Sequence, residues 1–221
     1  MNIEVLYEDN HVIVVNKPAG ILVQAGERGK ANLLDEVKKY LKDKYKKPGN
    51  VFAGLVHRLD KPVSGIVVFA KTSKGASRLS EQFRNREIKK TYTALVEGQL
   101  SGQGKLIHYL KKDEETLKAV ISDTEDDNFQ KSELDYDVLK KSEKYSLVKI
   151  NLKTGRFNQI RAQFSHIGHP IVGDSFYGAR TKSIGGSIGL CATEIEFKTA
   201  TTDEVKNIKI DYPKEWNGDF N

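Results

Sequence analysis

The chain alternates short β-branched runs with polar turns over most of its 221 residues. Near the start, "IEVLY" and "HVIVVN" are separated by the polar "EDN", which predicts a β-hairpin. Similar runs predict further strands in "VFAGLVH", "GIVVFAK", "TYTALVEG", "KLIHYL", "TLKAVIS", "SELDYDVL", "YSLVKINL", "LCATEIEF" and "VKNIKIDY". Many strands joined by short turns indicate an α+β fold with a large, mostly antiparallel sheet.

Three segments have helical spacing and would flank that sheet. Asn32 is the predicted cap of "LLDEVKKYLKDKYKK", and Ser73 is the predicted cap of "KGASRLSEQFRNREI". A third helix is predicted from Arg156 to Ile167, with Ile160 on its apolar face. The lysines of the first helix are most simply a solvated face, or alternatively a surface that attracts phosphates. Since no repeat and no long linker is present, we expect a single domain over residues 1–221.

Composition narrows the class of protein. Charged residues make up 30% of the chain and hydrophobic residues 38%, as in soluble globular proteins. The net charge of +6 weakly favours a polyanionic partner such as nucleic acid. A single cysteine, Cys191, excludes an internal disulfide and a multi-cysteine zinc site. Without a signal peptide or a membrane-length apolar stretch, we expect a cytoplasmic protein with no membrane association.

The sequence does not contain the motifs of several common catalytic and ligand-binding sites. "GGSIG", at 185–189, has neither the lysine nor the spacing of a phosphate-binding loop, and no G-x-S-x-G nucleophile motif is present. His166 and His169 are three residues apart, but Gly168 and Pro170 surround the second, so we expect no metal site on a shared helical face. A cofactor-free reaction, or no reaction, is left.

The stretch "HRLDKPVSG", residues 57–65, places four ionisable side chains directly before an apolar run. Pro62 fixes its own φ, and Gly65 permits close backbone approach. The pattern predicts a stiff turn that holds Asp60 at the mouth of a buried strand. The alternative is an ordinary turn aspartate bonded to nearby backbone or to Lys61.

Two further stretches are dense in polar groups. In "KKTYTALVEG", Tyr92 stands in a predicted strand, where the alternative to a functional role is core packing. In "LKTGRFNQIRAQFSHIGHPIVGD", Gly155 and Arg156 would open a helix whose free N–H groups could bind an anion. Arg161 could turn inward from that helix; the alternative is a surface arginine.

These stretches carry a resemblance to a known family. "HRLDKPVSGIVVFAKT", "KTYTALVEG" and "TGRFNQIRAQFSHIGHPIVGD", in this order and spacing, resemble the RluA family of RNA pseudouridine synthases. "VNKPAGILVQ" and "LCATEIEF" resemble its opening and closing core segments, so the resemblance covers nearly the whole chain. It implies the pseudouridine synthase catalytic fold with a catalytic cleft across the sheet. It also implies a reaction without a cofactor. Because the chain begins directly with the catalytic core, we expect a single catalytic domain without the separate S4-like RNA-binding domain that some relatives carry.

The resemblance also implies roles for individual residues. Asp60 would be the catalytic aspartate, Tyr92 would stack on the target base, and Arg161 would pair with the catalytic carboxylate. An arginine beside Asp60 would favour its ionised form. Arg58 would help to displace the uridine from its stack. We expect contacts with RNA at Arg58, His57, Arg156, Gln159 and Lys17.

The third motif departs from the family pattern T-G-R-T/S-H-Q-I/L-R-V-H at four places. These places hold Phe157, Asn158, Ala162 and Gln163. Because the departures spare the Arg156, Gln159 and Arg161 positions, they concern the choice of substrate more than the activity.

The resemblance thus implies an isomerase that converts specific uridines in ribosomal or transfer RNA to pseudouridine, with no obligate protein partner. One alternative is a non-catalytic RNA-binding or ribosome-assembly protein on the same fold, although such a protein has no need for Asp60, Tyr92 and Arg161 together. Another is a glycosidase-like hydrolase, which needs a second carboxylate. Asp174 in "VGD" is the candidate, and we interpret it as a turn or structural acid.

Overall fold

The structure, a computed structural model, describes residues 3–25, 31–182 and 187–220. The chain forms two compact units. The first unit comprises Met1–Ile88 and Thr193–Ile210, and the second comprises Lys89–Ala192 and Asp211–Asn221. That residues 1–221 act as a single catalytic domain stays a prediction.

The first unit contains a sheet with two helices. Its elements are β1 Glu4–Glu8, β2 Val12–Lys17, α1 Leu33–Lys44, β3 Gly54–Leu55, β4 Ser64–Ala70, α2 Ser73–Arg84, the part of β10 Leu190–Lys198 that follows Ala192, and β11 Val205–Lys209. The strand order is β1-β2-β4-β10-β11, and β3 pairs with β4. The pairs β1–β2, β2–β4, β3–β4 and β10–β11 are antiparallel, so the predicted hairpin is confirmed. Of the predicted strand "VFAGLVH", only β3 forms.

Apolar side chains from β2, β4, β10 and α2 build the core of this unit. They include Val12, Val14, Ile66, Val68, Leu79, Ile195 and Phe197. Asn32 caps α1 as predicted, its side chain accepting from the Asp35 N–H at 3.1 Å. The cap of α2 is Thr72, one residue before the predicted Ser73, because its hydroxyl accepts the Gly75 N–H. A Cβ on Gly75 would lie 2.4 Å from the His11 carbonyl oxygen, so the close approach of α2 requires glycine there.

The second unit is built around a five-stranded antiparallel sheet with one α-helix. Its elements are β5 Lys89–Glu97, β6 Gln103–Lys112, β7 Ala119–Ser122, β8 Gln130–Lys141, β9 Tyr145–Leu152, α3 Gln159–His166, and the 3₁₀ turns Ser175–Tyr177 and Lys214–Phe220. The strand order is β5-β9-β8-β6-β7. The helix α3 contacts β6 and β7, and Ala162 and Tyr177 pack there with Leu110 and Ala119. This sheet is the scaffold for the third motif.

Two remaining expectations concern loops and membranes. Gly185 and Gly186 of "GGSIG" lie outside the described residues. Within the described ranges, no helix combines the length and the apolar composition needed to cross a bilayer.

Candidate active site

The predicted turn at Asp60 is present and is held through its backbone. The Val63 N–H donates to the Asp60 carbonyl oxygen at 3.1 Å, and β4 begins at Ser64. The Lys61 carbonyl oxygen accepts from the Gly20 N–H at 2.8 Å and from Lys17 Nζ at 3.2 Å. The "NKPAG" and "HRLDKPVSG" segments are therefore joined, although some forty residues separate them in sequence.

Gly65 and Lys17 explain why this turn needs its particular residues. Gly65 has a φ of +114°, which side-chain-bearing residues rarely adopt, so the backbone conformation favours glycine here. The close backbone approach at this glycine stays a prediction. Lys17 lies beside it in the β2–β4 pair and is fully buried. Its ammonium also donates to the carbonyl oxygens of Pro18 at 3.1 Å and Ile21 at 2.8 Å. Burial lowers the pKa of Lys17 to about 8, although the Asp60 carboxylate opposes the shift.

The burial of Lys17 corrects its predicted contact with RNA. An ammonium that is enclosed and bonded to three backbone carbonyls has no donor to offer a phosphate outside. It instead anchors the loop after β2 to the Asp60 turn, and it puts a positive charge near that carboxylate.

His57 and Arg58, which are adjacent in the motif, have different surroundings. The His57 ring stacks on Phe83 with a centroid distance of 4.9 Å, and its Nε2 accepts from the Val68 N–H at 2.9 Å. His57 therefore attaches the start of the motif to α2 and β4, and its contact with RNA stays a prediction. Arg58 is exposed, as a residue that reaches into an RNA stack must be.

Tyr92 lies on β5, opposite Ile150 of β9, and is 9% exposed. This burial fits both a base-stacking role and the alternative of core packing, so its role stays a prediction. Lys90 is two positions earlier and thus faces the same side of β5. Its Nζ lies 3.1 Å from where a Cβ on Gly155 would be, and burial lowers its pKa. Lys90 is not among the site residues predicted from the sequence, although its spacing of two residues from Tyr92 in "KKTY" predicts that both side chains lie on one face of the strand.

Arg161 is an interior residue, so the surface alternative is wrong. Its Nε donates to Asp174 Oδ2 at 2.7 Å, and its Nη2 donates to Asp174 Oδ1 at 2.9 Å. The side chain of Asp174 is only 1% exposed. This two-pronged pair confirms that Asp174 is a structural acid, and it disfavours the hydrolase alternative because the carboxylate is already engaged. Pairing of Arg161 with Asp60 stays a prediction.

The start of α3 corrects the predicted anion site. The helix begins at Gln159 rather than Arg156, because Asn158 has a left-handed φ of +49° that interrupts the helical path. The Arg156 N–H is not free, since it donates to Gln159 Oε1 at 3.0 Å. Gln159 is 3% exposed and also accepts from the Thr154 hydroxyl at 2.8 Å. Gln159 therefore shapes this turn rather than contacting RNA.

Arg156 itself is partly exposed. Its Nε donates to the Lys131 carbonyl oxygen at 3.1 Å. Its guanidinium is thus positioned near the surface, and contact with RNA stays a prediction for Arg156 as it does for Arg58.

The four departures from the family pattern are integrated into the second unit. Ala162 belongs to the core between α3 and the sheet, and Phe157 packs against that core. Asn158 accepts from Arg161 Nη1 at 3.2 Å and donates to the Tyr177 hydroxyl at 3.1 Å. Gln163 donates to His108 Nδ1 at 3.0 Å. Each replacement therefore has a packing or hydrogen-bonding role.

One group of side chains has the composition of a metal site. The nearest ligand atoms of His108, Asp123 and His166 lie within 4.8 Å of one another. The orientation of two glutamine side chains decides which nitrogen of neutral His108 carries the proton. Because Gln159 Oε1 accepts from the Arg156 N–H, Gln159 Nε2 must face Gln163 Oε1, at 3.0 Å.

This orientation leaves Gln163 Nε2 as the donor to His108 Nδ1, which places the ring proton of neutral His108 on Nε2. The nitrogen of His108 that faces Asp123 is then a donor, so these residues fit a metal ion poorly. Burial and the neighbouring His166 also lower the pKa of His108, although Asp123 opposes the shift.

Comparison with known proteins identifies the family. Residues 11–166 match the family described as RNA pseudouridylate synthase, and this range includes Asp60, Tyr92 and Arg161. The chain belongs to this family. The predicted membership of the RluA family and the predicted enzyme class, an RNA pseudouridine synthase, are thereby confirmed.

Individual relatives agree with this assignment. A tRNA pseudouridine synthase C from Haemophilus ducreyi is 36% identical over 187 residues, which are 80% of this chain and 75% of the relative. A ribosomal large subunit pseudouridine synthase C from Vibrio parahaemolyticus is 33% identical, with 90% of this chain and 62% of the relative covered. The solved structure of human RNA pseudouridylate synthase domain containing 4 has a TM-score of 0.79 at 23% identity, covering 97% of this chain and 90% of that one. This likeness confirms the predicted fold.

Proposed function

We propose that this protein converts specific uridines of ribosomal or transfer RNA to pseudouridine in the cytoplasm, with Asp60 as the catalytic carboxylate. The observation that carries the proposal is the family match over residues 11–166, which spans the Asp60 turn, Tyr92 and Arg161. Relatives named for transfer RNA and for ribosomal RNA both support an RNA substrate. We further propose that residues 1–221 act as one catalytic domain without an obligate protein partner.

The reaction explains why a single carboxylate suffices. Pseudouridine forms when the bond between N1 and C1′ breaks, the uracil rotates, and C5 joins C1′; C5 then loses its proton and N1 gains one, so the atoms balance. Nothing is oxidised and no group enters from outside, so we expect no cofactor. An ionised Asp60 could attack C1′ or remove a proton from the sugar, and both routes use the same residue.

The remaining residues have roles that fit their surroundings. The ring of Tyr92 would retain the released uracil by stacking. Arg161, whose orientation is fixed by Asp174, would stabilise the ionised Asp60. Exposed Arg58 would help to extrude a stacked uridine, a step that costs roughly a few kcal/mol.

The decisive experiment maps pseudouridines across total RNA from cells with and without the protein. Purified protein should then restore each missing pseudouridine in unmodified transcripts of the RNA concerned. The Asp60→Asn protein serves as the control, because it should bind the same transcripts and leave every uridine unchanged. Identical maps from both kinds of cell, with no product from purified protein, would favour the alternative of a non-catalytic RNA-binding protein.

A further inference from the structure

The positive charge of the molecule is concentrated in one segment. The first unit has nineteen Lys and Arg against fourteen Asp and Glu, a net +5, whereas the second has seventeen against sixteen, a net +1. Residues 38–47, here called the lysine turn, hold six lysines and one aspartate. The second half of α1 and the turn after it thus carry a net charge of +5, which equals the net charge of the whole first unit.

Most of these lysines form no ion pair with another residue that the structure describes. Lys39, Lys42, Lys46 and Lys47 are exposed. Among the described residues, ion pairs at the lysine turn are confined to Lys44, which contacts Glu8 at 2.7 Å. A solvated helix face usually mixes charges of both signs along its length. The lysine turn has six lysines against a single aspartate, so a solvated helix face explains its charge poorly.

The backbone of the lysine turn holds a lysine where glycine would be favoured. The Lys46 N–H donates to the Asp43 carbonyl oxygen at 3.4 Å, and the Lys47 N–H donates to that of Lys42 at 3.1 Å. This is the Schellman ending of a helix, in which glycine usually occupies the left-handed position. Lys46 occupies it with a φ of +49°. A side chain there destabilises the turn, and strain of this kind points to a use for the side chain.

An aromatic ring lies among these cations. Glu8 accepts from the Tyr45 hydroxyl at 2.6 Å and from Lys71 Nζ at 2.6 Å, which fixes one end of the tyrosine. Tyr45 nevertheless stays 46% exposed. The ammonium groups of Lys44 and Lys47 lie 5.5 Å and 5.7 Å from the centre of its ring. Cations that track a backbone, next to an accessible aromatic face, are the combination that binds single-stranded nucleic acid.

The surroundings of Glu8 favour its ionised form. Burial alone would raise its pKa, but hydrogen bonds from Lys44, Lys71 and Tyr45 lower it to about 2. The Tyr45 hydroxyl therefore donates to a carboxylate that is ionised near neutral pH.

We propose that the lysine turn and Tyr45 form a docking surface for single-stranded RNA. The lysines contact phosphates, and Tyr45 stacks on an unpaired base in a part of the substrate other than the target uridine. The inference rests on the proposed function in that the ligand is the RNA substrate, but it concerns binding and not the chemical step.

The first test compares two triple variants with the same loss of charge. Lys42, Lys46 and Lys47 are changed to Gln in one, and the exposed Lys140, Lys141 and Lys144 of the second unit are changed to Gln in the other. Binding of a labelled, unstructured RNA is followed by fluorescence anisotropy over a range of salt concentrations. Three lost phosphate contacts should reduce the slope of log K against log salt by about 2 and weaken binding at least about tenfold near 0.1 M salt. The control should retain nearly the parent slope.

The second test separates binding from stability. Lys46→Gly removes the strained side chain, so the variant should melt at the same temperature as the parent or higher, while its affinity for RNA falls about fivefold near 0.1 M salt. Tyr45→Ala should weaken binding to single strands more than to a duplex of the same sequence, because only unpaired bases can stack on the ring. Tyr45→Phe should retain that preference for single strands.

The outcomes distinguish this inference from the proposed function. If the lysine-turn variant binds RNA like the parent, or if both triple variants weaken equally, the docking surface is wrong even when pseudouridine forms normally. If the parent binds RNA through the lysine turn but forms no pseudouridine, the surface stands and the proposed function fails. When both hold, the lysine-turn variant should reach the parent rate of modification at saturating RNA.

Discussion

The Asp60 turn and the Arg161 region are held in place in different ways. Backbone groups fix the Asp60 turn, with the Lys61 carbonyl oxygen accepting from the Gly20 N–H and from buried Lys17. Side chains fix Arg161, because its Nε and Nη2 donate to the two carboxylate oxygens of Asp174. In the first arrangement, the backbone hydrogen bonds that hold the turn do not depend on the identity of the side chain at position 60. The second makes the key residue part of the interior, where it cannot be changed without a structural cost.

The largest expected effect tests the Asp60 turn. Asp60→Asn keeps the backbone bonds that hold the turn, so the protein should fold and bind RNA. Pseudouridine formation should fall by at least about 10²-fold, because the residue can no longer act as a base or nucleophile. Single-turnover assays measure the loss, with exposed Asp127→Asn, between β7 and β8, as a matched control that keeps the parent rate. Product from Asp60→Asn at the parent rate would exclude Asp60 as the catalytic residue.

The next effect tests the Arg161 region through stability. Asp174→Ala leaves a buried guanidinium without the carboxylate that its Nε and Nη2 share, which should cost about 3–5 kcal/mol in the free energy of unfolding. Urea denaturation measures this loss. The double variant Arg161→Met with Asp174→Leu should lose less than Asp174→Ala alone, because no unpaired charge remains. A double variant that is less stable than the single one would contradict this account.

The same difference explains what could be predicted from the sequence. The Asp60 turn is encoded by nine consecutive residues, and proline and glycine mark its shape, so the pattern predicts it. The fixing of Arg161 depends on Asp174 and Asn158, which meet it only through the fold. The start of α3 was wrongly predicted for a related reason, since the left-handed φ of Asn158 has no signal in the periodicity of the helix.

Lys17 shows a further limit of sequence reasoning. A lysine beside a proline and glycine looks like a surface cation, and nothing in composition or spacing indicates that its ammonium is enclosed by three carbonyl groups. The strands, by contrast, follow from short β-branched runs, and the structure confirms nearly all of them.

A pH titration of stability sharpens the comparison at Lys17. Its pKa is about 8 in the folded protein against the ordinary 10.5, mainly because of burial. Between these values the unfolded state binds more protons, so the free energy of unfolding rises with pH, and the destabilisation is fully present below about pH 8. The Lys17→Met variant has no ammonium at this position, so its free energy of unfolding lacks this dependence on pH. The difference in unfolding free energy between parent and variant should therefore change in favour of the parent by up to about 3 kcal/mol from pH 8 to 10.5. Parallel pH profiles of the two proteins would show that Lys17 titrates normally.

The smallest expected effect tests whether the Arg161 region tolerates the residue of the family pattern. Asn158 combines a left-handed backbone with bonds to Arg161 and the Tyr177 hydroxyl. Histidine, like asparagine, is enriched at positive φ, and its two ring nitrogens can supply one donor and one acceptor. Asn158→His should therefore change the free energy of unfolding by less than about 1 kcal/mol, which is below the usual cost of losing buried hydrogen bonds.

Asn158→Val is the matched control for this substitution. A β-branched side chain is disfavoured at the same φ and makes neither hydrogen bond, so it should cost well over about 1–2 kcal/mol. Chemical denaturation of the three proteins under one set of conditions compares them. If His is as costly as Val, the side-chain network around Arg161 is specific to asparagine, and the departure at Asn158 cannot be a simple exchange within the family. If His is tolerated, the network that holds Arg161 depends on Asp174 first and on the identity of residue 158 only second.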